Sequence, residues 1–351
     1  MNWAFLAFLT WKKLAMKKPK VNVNILTWNA SKYLKICLES VLALDYPNFE
    51  ILVIDNDSQD DTKDIIQKYL DKNNKIRFIE NKKNLGFALG HNQGIKKTDG
   101  KYILVLNQDA LVSPDFLSKA VEVLENDEKI AALQPKILKY DFKEKKPKDI
   151  FDTTGLLMLK NRRILNRGQG EKDNGQFDKE EEIFGADGAA PIYRRLALEE
   201  TKIEDEYFDS SFFAYKEDVD LAWRLKLYGW KAIYIPSIVA YHERGAGESA
   251  SRKSLDILKE RKKISLFAKR ISFKNQRLMQ IKNEILSLYL YHFIPIIWKE
   301  IRAWGYVLFF EPRILKILPE MLKSLPKAFG KRRIIMKKKK IGFREMKKWF
   351  S

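Results

Sequence analysis

Glu50-Ile51-Leu52-Val53-Ile54-Asp55-Asn56-Asp57-Ser58 is the stretch on which the fold turns. Its aliphatic run lacks the alternation of a half-exposed strand, so both faces must be covered, as in a parallel sheet packed between helices. It ends in carboxylate, amide and hydroxyl groups at a strand's carboxyl end, the place where sheets of this kind bind ligands. Working backwards, Val21 to Thr27 is a short β-type run. Ser31 then starts a helical stretch in which Tyr33, Leu34, Cys37, Leu38, Val41 and Leu42 recur at three- and four-residue steps, closed by Asp45-Tyr46-Pro47. Working forwards, Ser58 is a capping candidate for a helix over 60–70. A strand over 75–80, a helix over 86–97 and a second buried strand, Tyr102 to Leu106, follow, and the last ends in Asn107-Gln108-Asp109. Strand and helix alternating at this spacing predict an α/β fold with a mostly parallel central sheet.

Beyond Asp109 the pattern loosens. The sequence predicts a helix over 115–124, a strand over 130–138, a charged loop over 139–148 and a hairpin within 151–168. A small-residue stretch, Phe184 to Ala190, precedes a helix over 219–228 closed by Gly229, a strand over 231–235 and a polar loop over 241–249. From Arg252 onward the chain reads as basic, aromatic-bearing amphipathic helices punctuated by Pro295, Pro312, Pro319 and Pro326.

The chain has 351 residues, 45% of them hydrophobic and 12% aromatic, enough to build a core and to exclude disorder throughout. One cysteine and three histidines exclude a disulfide framework and a cysteine-rich zinc cluster, and point to a reducing compartment. The net charge is +20, and residues 252–351 hold 27 Lys and Arg against 7 Asp and Glu, so the first 251 residues are neutral. Met1 to Trp11 is apolar but followed, not preceded, by lysines, which is not the order of a secretory signal. Ile285 to Trp298 is apolar but interrupted by Pro295, and falls short of the roughly 20 residues of a spanning helix. The expected organisation is therefore an apolar and basic segment over 1–20 as a candidate interfacial anchor, a catalytic domain over 21–250, and a basic helical tail over 251–351 that either associates with membrane or packs on the core.

Six segments in order, VNVNILTWNASKYLKICLESVLAL, EILVIDNDSQDDT, NLGFALGHNQGI, YILVLNQDALVSPDFL, FGADGAAPIYRR and FFAYKEDVDLAWRLKLYGWKAIYIPSIVAYHERG, resemble the family 2 glycosyltransferases of the GT-A fold, in particular their rhamnosyltransferase-like branch. The resemblance implies a nucleotide-sugar-binding domain and an inverting transfer to a lipid-linked or surface polysaccharide acceptor, with dTDP-rhamnose as first donor and a UDP-sugar close behind. It places Thr27, Asn29, Asp55, Asn56 and Asp57 at the nucleoside, and Gly86 and Asn92 near the sugar or diphosphate. Turn chemistry and glycine packing are the plain alternatives for these positions. Asn107-Gln108-Asp109 stands where the family has D-x-D. Asp109 fits as ligand of Mg²⁺ or Mn²⁺, whereas Asn107 offers only a neutral amide oxygen.

The same resemblance makes Asp218 the base that takes the acceptor proton and Glu217 a group that positions the acceptor. Helix N-terminal acids facing the macrodipole are the alternative for this pair. His242, 24 residues after Asp218, is implied as a second metal ligand, with the glycine-rich loop after it closing over the donor, and Asp187 and Gly188 belong to the acceptor side. The tail suits an anionic membrane surface, which implies a cytoplasmic protein on the inner face of the cell membrane; packing comes second and nucleic acid last. A nucleotidyltransferase would want a glycine-rich, arginine-bearing loop where this chain has Trp28-Asn29-Ala30-Ser31. A non-catalytic basic scaffold would not need Asp109, Asp218 and His242.

Overall fold

The computed structural model describes residues 18–243 and 254–351. The apolar run at the N-terminus and most of the glycine-rich loop after His242 lie outside the described residues. Strands β1 (Val21–Thr27), β2 (Phe49–Asp55), β3 (Ile76–Glu80) and β4 (Tyr102–Asn107) alternate with helices α1 (Leu34–Leu42), α2 (Thr62–Leu70) and α3 (Gly86–Lys96). All four strands are parallel, in the order β3-β2-β1-β4. Ile51 to Ile54 are all buried, as their unbroken apolar run requires.

A second half extends the sheet. After β5 (Ala110–Val112) and α4 (Phe116–Asn126) come β6 (Ile130–Asp141), β7 (Lys146–Thr153), β8 (Leu156–Met158), β9 (Ile164–Asn166), β10 (Glu181–Ile183) and β11 (Ile192–Arg194). Then follow α5 (Arg195–Thr201), α6 (Glu217–Leu227) and β12 (Lys231–His242). The sheet continues from β4 through β11, β6, β12 and β10, with β11 antiparallel to both its neighbours and β12 parallel to β6. Residues 139–148, expected as a loop, instead close a hairpin of β6 and β7, across which Lys148 pairs with Asp141 at 2.7 Å. Charged residues are stable there because β7 is an edge strand whose first half faces solvent. β12 also runs past the expected end at Ile235: a register shift between Ile235 and Val239 absorbs Pro236, and pairing resumes to His242.

The C-terminal region forms α7 (Ser254–Lys263), α8 (Leu266–Asn283), α9 (Leu286–Tyr291), α10 (Phe293–Phe310), α11 (Leu318–Lys338) and α12 (Phe343–Lys347). These helices share a hydrophobic cluster with the preceding α/β part of the chain, in which Trp223 and Phe184 join Leu278, Ile335 and Phe350. Their basic residues are not all surface charge. Lys282 reaches both Asp209 and Asp220, and Lys331 bonds Asp209 at 2.7 Å and Glu206 at 2.9 Å, with both lysines buried. Burial alone would raise the pKa of Asp209, but the two ammonium groups hold it well below the ordinary carboxylate value. Arg162, on the β8–β9 turn, makes a two-point bond to Glu284 and lies over the Phe350 ring at 4.1 Å.

Removing one partner from such a network leaves charge buried without compensation. Lys282→Met is therefore expected to destabilise the protein by about 3–5 kcal/mol, read as a lowered denaturant midpoint. A midpoint equal to wild type would show that Asp209 and Asp220 do not depend on Lys282.

Candidate active site

Two adjoining cavities of about 610 and 750 Å³ open at the carboxyl ends of β1 and β4, and Trp28, Phe87, Asn107, Gln108 and Asp109 line both. Trp28 and Gln108 are tied by a reciprocal pair of bonds: Trp28 N–H donates to Gln108 Oε1 at 2.7 Å, and Gln108 Nε2 donates to the Trp28 carbonyl at 3.3 Å. That clasp fixes the loop that presents Asp109. The short strand β5 then pairs antiparallel with β12, Ala110 opposite His242, which brings Asp109 and His242 side by side.

His242 Nε2 lies 3.2 Å from Asp109 Oδ1 and 3.5 Å from Asn107 Nδ2, while its Nδ1 is 2.9 Å from Asp152 Oδ2. Asp152, at the inner end of β7, is fully buried. Burial disfavours a charged imidazole, yet the two flanking carboxylates outweigh it and raise the His242 pKa to about 10. Asp109 and His242 fit a divalent ion. Their 3.2 Å separation is close to the roughly 3 Å between neighbouring ligands of a shell about 2.1 Å in radius, and Asp152 supplies the carboxylate that orients a ligating imidazole. No group of three or more His, Cys, Asp or Glu that could hold an ion occurs among the described residues. The protein therefore offers a partial shell.

Within the lining of the 610 Å³ cavity, the loop over 185–189 meets the start of α6. Gly188 N–H donates to Asp218 Oδ2 at 3.1 Å, Val219 N–H donates to Asp218 Oδ1 at 2.7 Å, and Asp187 Oδ1 accepts from Ala189 N–H at 3.0 Å. Asp187, Gly188, Glu217 and Asp218 line the same 610 Å³ cavity as Asp109 and His242. Burial, then Asp187, raises the Asp218 pKa to about 6 against the lowering effect of its two backbone donors. Glu217 is pushed well above the ordinary value by burial and by Asp218, and its Oε2 is buried with no hydrogen-bond partner. Within the pair, Asp218 receives two backbone donors that favour its ionised form, whereas Glu217 Oε2 receives none.

The predicted nucleoside residues divide. Thr27, Asn56 and Gly86 line the 750 Å³ cavity. Asp55 does not: it is fully buried, and it accepts bonds from Thr27 Oγ1 at 2.9 Å and from the N–H and hydroxyl of Ser58. Asn29 and Asp57 are left-handed turn residues, Asn29 Oδ1 accepting from Gln59 N–H at 2.8 Å. Asn92 is turned into the protein, where its amide is used on the backbone of Tyr207 and Phe208. It sits on the buried face of α3, so its place near the glycines of that helix reflects packing. Gly90 and Gly94 likewise have no room for a Cβ beside Leu26 and Ile54.

Sequence reading missed the contribution of α8. Ser265 and Phe267 line the 750 Å³ cavity and Ser272 the other. Phe213, Tyr215 and Lys216, just ahead of the acidic pair, all have φ between 59° and 76°, a conformation that costs each non-glycine residue about 1–3 kcal/mol. The buried Asn275 offsets this: its Nδ2, with two hydrogens to donate, lies 2.8–2.9 Å from the carbonyl oxygens of Phe212, Ala214 and Tyr215. The sequence does not single it out, since Asn275 is one of four amide side chains in α8, with Gln276, Gln280 and Asn283.

The family described as glycosyl transferase family 2 matches residues 23–201. An uncharacterized glycosyltransferase of Methanocaldococcus jannaschii is 36% identical over 120 residues, 34% of this chain and 41% of that protein. The poly-β-1,6-N-acetyl-D-glucosamine synthase of Staphylococcus aureus strain COL is 27% identical over 236 residues, 63% of this chain and 51% of that protein. The chain thus spans about half the length, or less, of these curated relatives. Among solved structures, S. aureus TarS 1–349 in complex with UDP-GlcNAc is similar with a TM-score of 0.54 at 18% identity, covering 91% of this chain and 87% of that one. GalNAc-T7 with UDP, GalNAc and Mn²⁺ is similar with a TM-score of 0.58 at 14% identity, covering 76% and 48%. At these identities the structural likeness is one of fold. With just over half of its length matched by the family, this chain belongs to glycosyl transferase family 2 and has the GT-A fold.

Proposed function

We propose that the protein transfers a sugar, with inversion, from a nucleotide-sugar donor to a hydroxyl of a lipid-linked or cell-surface glycan. The observation that carries this reading is that Asp218 and the Asp109–His242 pair line one cavity. The nucleoside would occupy the adjoining space beside Thr27, Asn56 and Gly86. A UDP-sugar is supported by TarS, solved with UDP-GlcNAc. dTDP-rhamnose rests on the sequence resemblance alone.

In the reaction, Asp218 accepts the acceptor's hydroxyl proton as that oxygen attacks the anomeric carbon and the bond to the diphosphate breaks. Gly188 N–H holds Asp218 Oδ2 in place, and Glu217, whose Oε2 has no partner within the protein, lines the same cavity to position the acceptor. Asp109 and His242 would hold Mg²⁺ or Mn²⁺, which supplies charge stabilisation to the departing diphosphate. Asp152 keeps the His242 ring turned so that Nε2 faces Asp109. Hydrolysis and transfer assays over a panel of nucleotide sugars test the reading. Turnover of one donor is expected, and inactivity towards all, with metal and glycan acceptor present, would overturn it.

Asn275 is a positioning residue in this scheme. Asn275→Leu is expected to lower the turnover rate by about 10²-fold through displacement of the acidic pair, with donor KM changed much less. An equal fall in nucleotide affinity and turnover would point to a general loss of structure instead.

A further inference from the structure

Helix α10 carries apolar side chains on both faces. Its inner face packs: Ile296 and Val307 are buried, Trp304 meets Phe273 at 5.0 Å, and Glu300 pairs with Arg277 at 2.6 Å. Its outer face is also apolar. Ile294 is 80% exposed, Trp298 61%, Ile301 59% and Phe309 77%, with Leu308 and Phe310 beside the last of these. The spacing 294, 298, 301, 308 follows helical steps, so these residues form one stripe, about 21 Å long at 1.5 Å per residue. Soluble surfaces rarely leave so large a contiguous patch of aromatic and aliphatic groups in water.

The surrounding charge says what covers it. The whole +20 excess of the chain lies in 252–351. Lys316, on the turn that follows α10 in the chain, and Lys323, Lys327 and Arg333, on α11 after it, are exposed. A second copy would bring an equal positive excess against the first, and nucleic acid would not bury the aliphatic stripe. An anionic lipid surface satisfies both, since headgroups take the lysines and the acyl boundary takes the stripe. No helix of the described residues is long and apolar enough to cross a membrane, so the contact is one of lying on the bilayer.

We infer that the outer face of α10 inserts in the plane of an anionic bilayer and docks the enzyme there. The inference stands apart from the reaction assigned above, because its test needs no turnover. Full-length protein is mixed with vesicles of phosphatidylcholine alone or with phosphatidylglycerol added, and sedimented in low and high salt. Binding is expected to favour the anionic vesicles and to be released only in part by salt, since the apolar share is not screened. The double variant Trp298→Ser, Phe309→Ser is expected to bind at least about tenfold more weakly, with unchanged thermal midpoint and nucleotide affinity. Wild-type protein that stays in the supernatant would overturn the inference. So would a double variant that binds as well as wild type, which would place the contact elsewhere in the chain. A wild-type dimer that the double variant converts to monomer, without vesicle binding, would assign the stripe to a second copy.

Discussion

Replacing Asp218 by asparagine is expected to lower sugar transfer by about 10²–10⁴-fold, the usual loss on removing a general base, while nucleotide affinity stays near wild type. The amide keeps the shape, and its oxygen can still accept from one of the two backbone donors, while its NH2 group faces the other. The pH profile gives a second reading. Only the ionised carboxylate can act as base, and its pKa is raised to about 6, so wild-type kcat/KM should fall as pH drops through about 6. An unperturbed carboxylate would hold activity to about 4. The stability effect has the opposite sign. A raised native pKa means that the folded state disfavours the carboxylate at neutral pH, and this cost is relieved as pH falls through about 6 towards the unfolded value. The asparagine variant lacks that cost and is expected to be more stable at pH 7 by about 1–2 kcal/mol, a figure reduced for partial solvent screening. Wild-type turnover in the variant would remove Asp218 from the role of base.

Chelation is expected to abolish transfer, with Mn²⁺ or Mg²⁺ restoring it, and the partial ligand shell makes the expectation more specific. Two protein ligands hold an ion weakly, so ion and nucleoside diphosphate should each bind much more tightly in the presence of the other, by the same factor. Asp109→Ala should erase that mutual dependence and lower transfer by on the order of 10²-fold or more. Asp152→Asn, which leaves both ligands in place but loosens the hold on the His242 ring, should weaken ion binding by about 10–100-fold. Titration calorimetry of the ion with and without the diphosphate measures all three. Full activity in excess chelator, or diphosphate affinity indifferent to the ion, would refute the two-ligand site.

The parallel half of the sheet could be read from sequence because each strand carries its own signal: ILVI and ILVL are apolar without alternation, and the intervening helices show their period locally. The family resemblance singles out Asp109, Asp218 and His242, and the fold gathers them around one cavity. What escaped reading is what depends on distant pairing. Asp152 meets His242 across 90 residues, from a hairpin that its charges disguised as a loop. Asn92 stood near glycines that suggested a phosphate loop, yet the buried side of α3 claims it. The lysines of the last hundred residues look alike in sequence. Only packing separates Lys282 and Lys331, which are buried against Asp209, from Lys323 and Lys327, which face water.

The clasp that Asn275 places on the loop before Glu217 has a consequence for how the enzyme comes into being on the ribosome. The carbonyl of Phe212 is synthesised 63 residues before the amide that secures it, and Asp209 precedes Lys331 by 122. A nascent chain can thus finish its parallel strands while Asp218 still lacks its support. On the role proposed for Asp218, catalytic competence would arrive late in translation, after the helices that complete the wall have emerged.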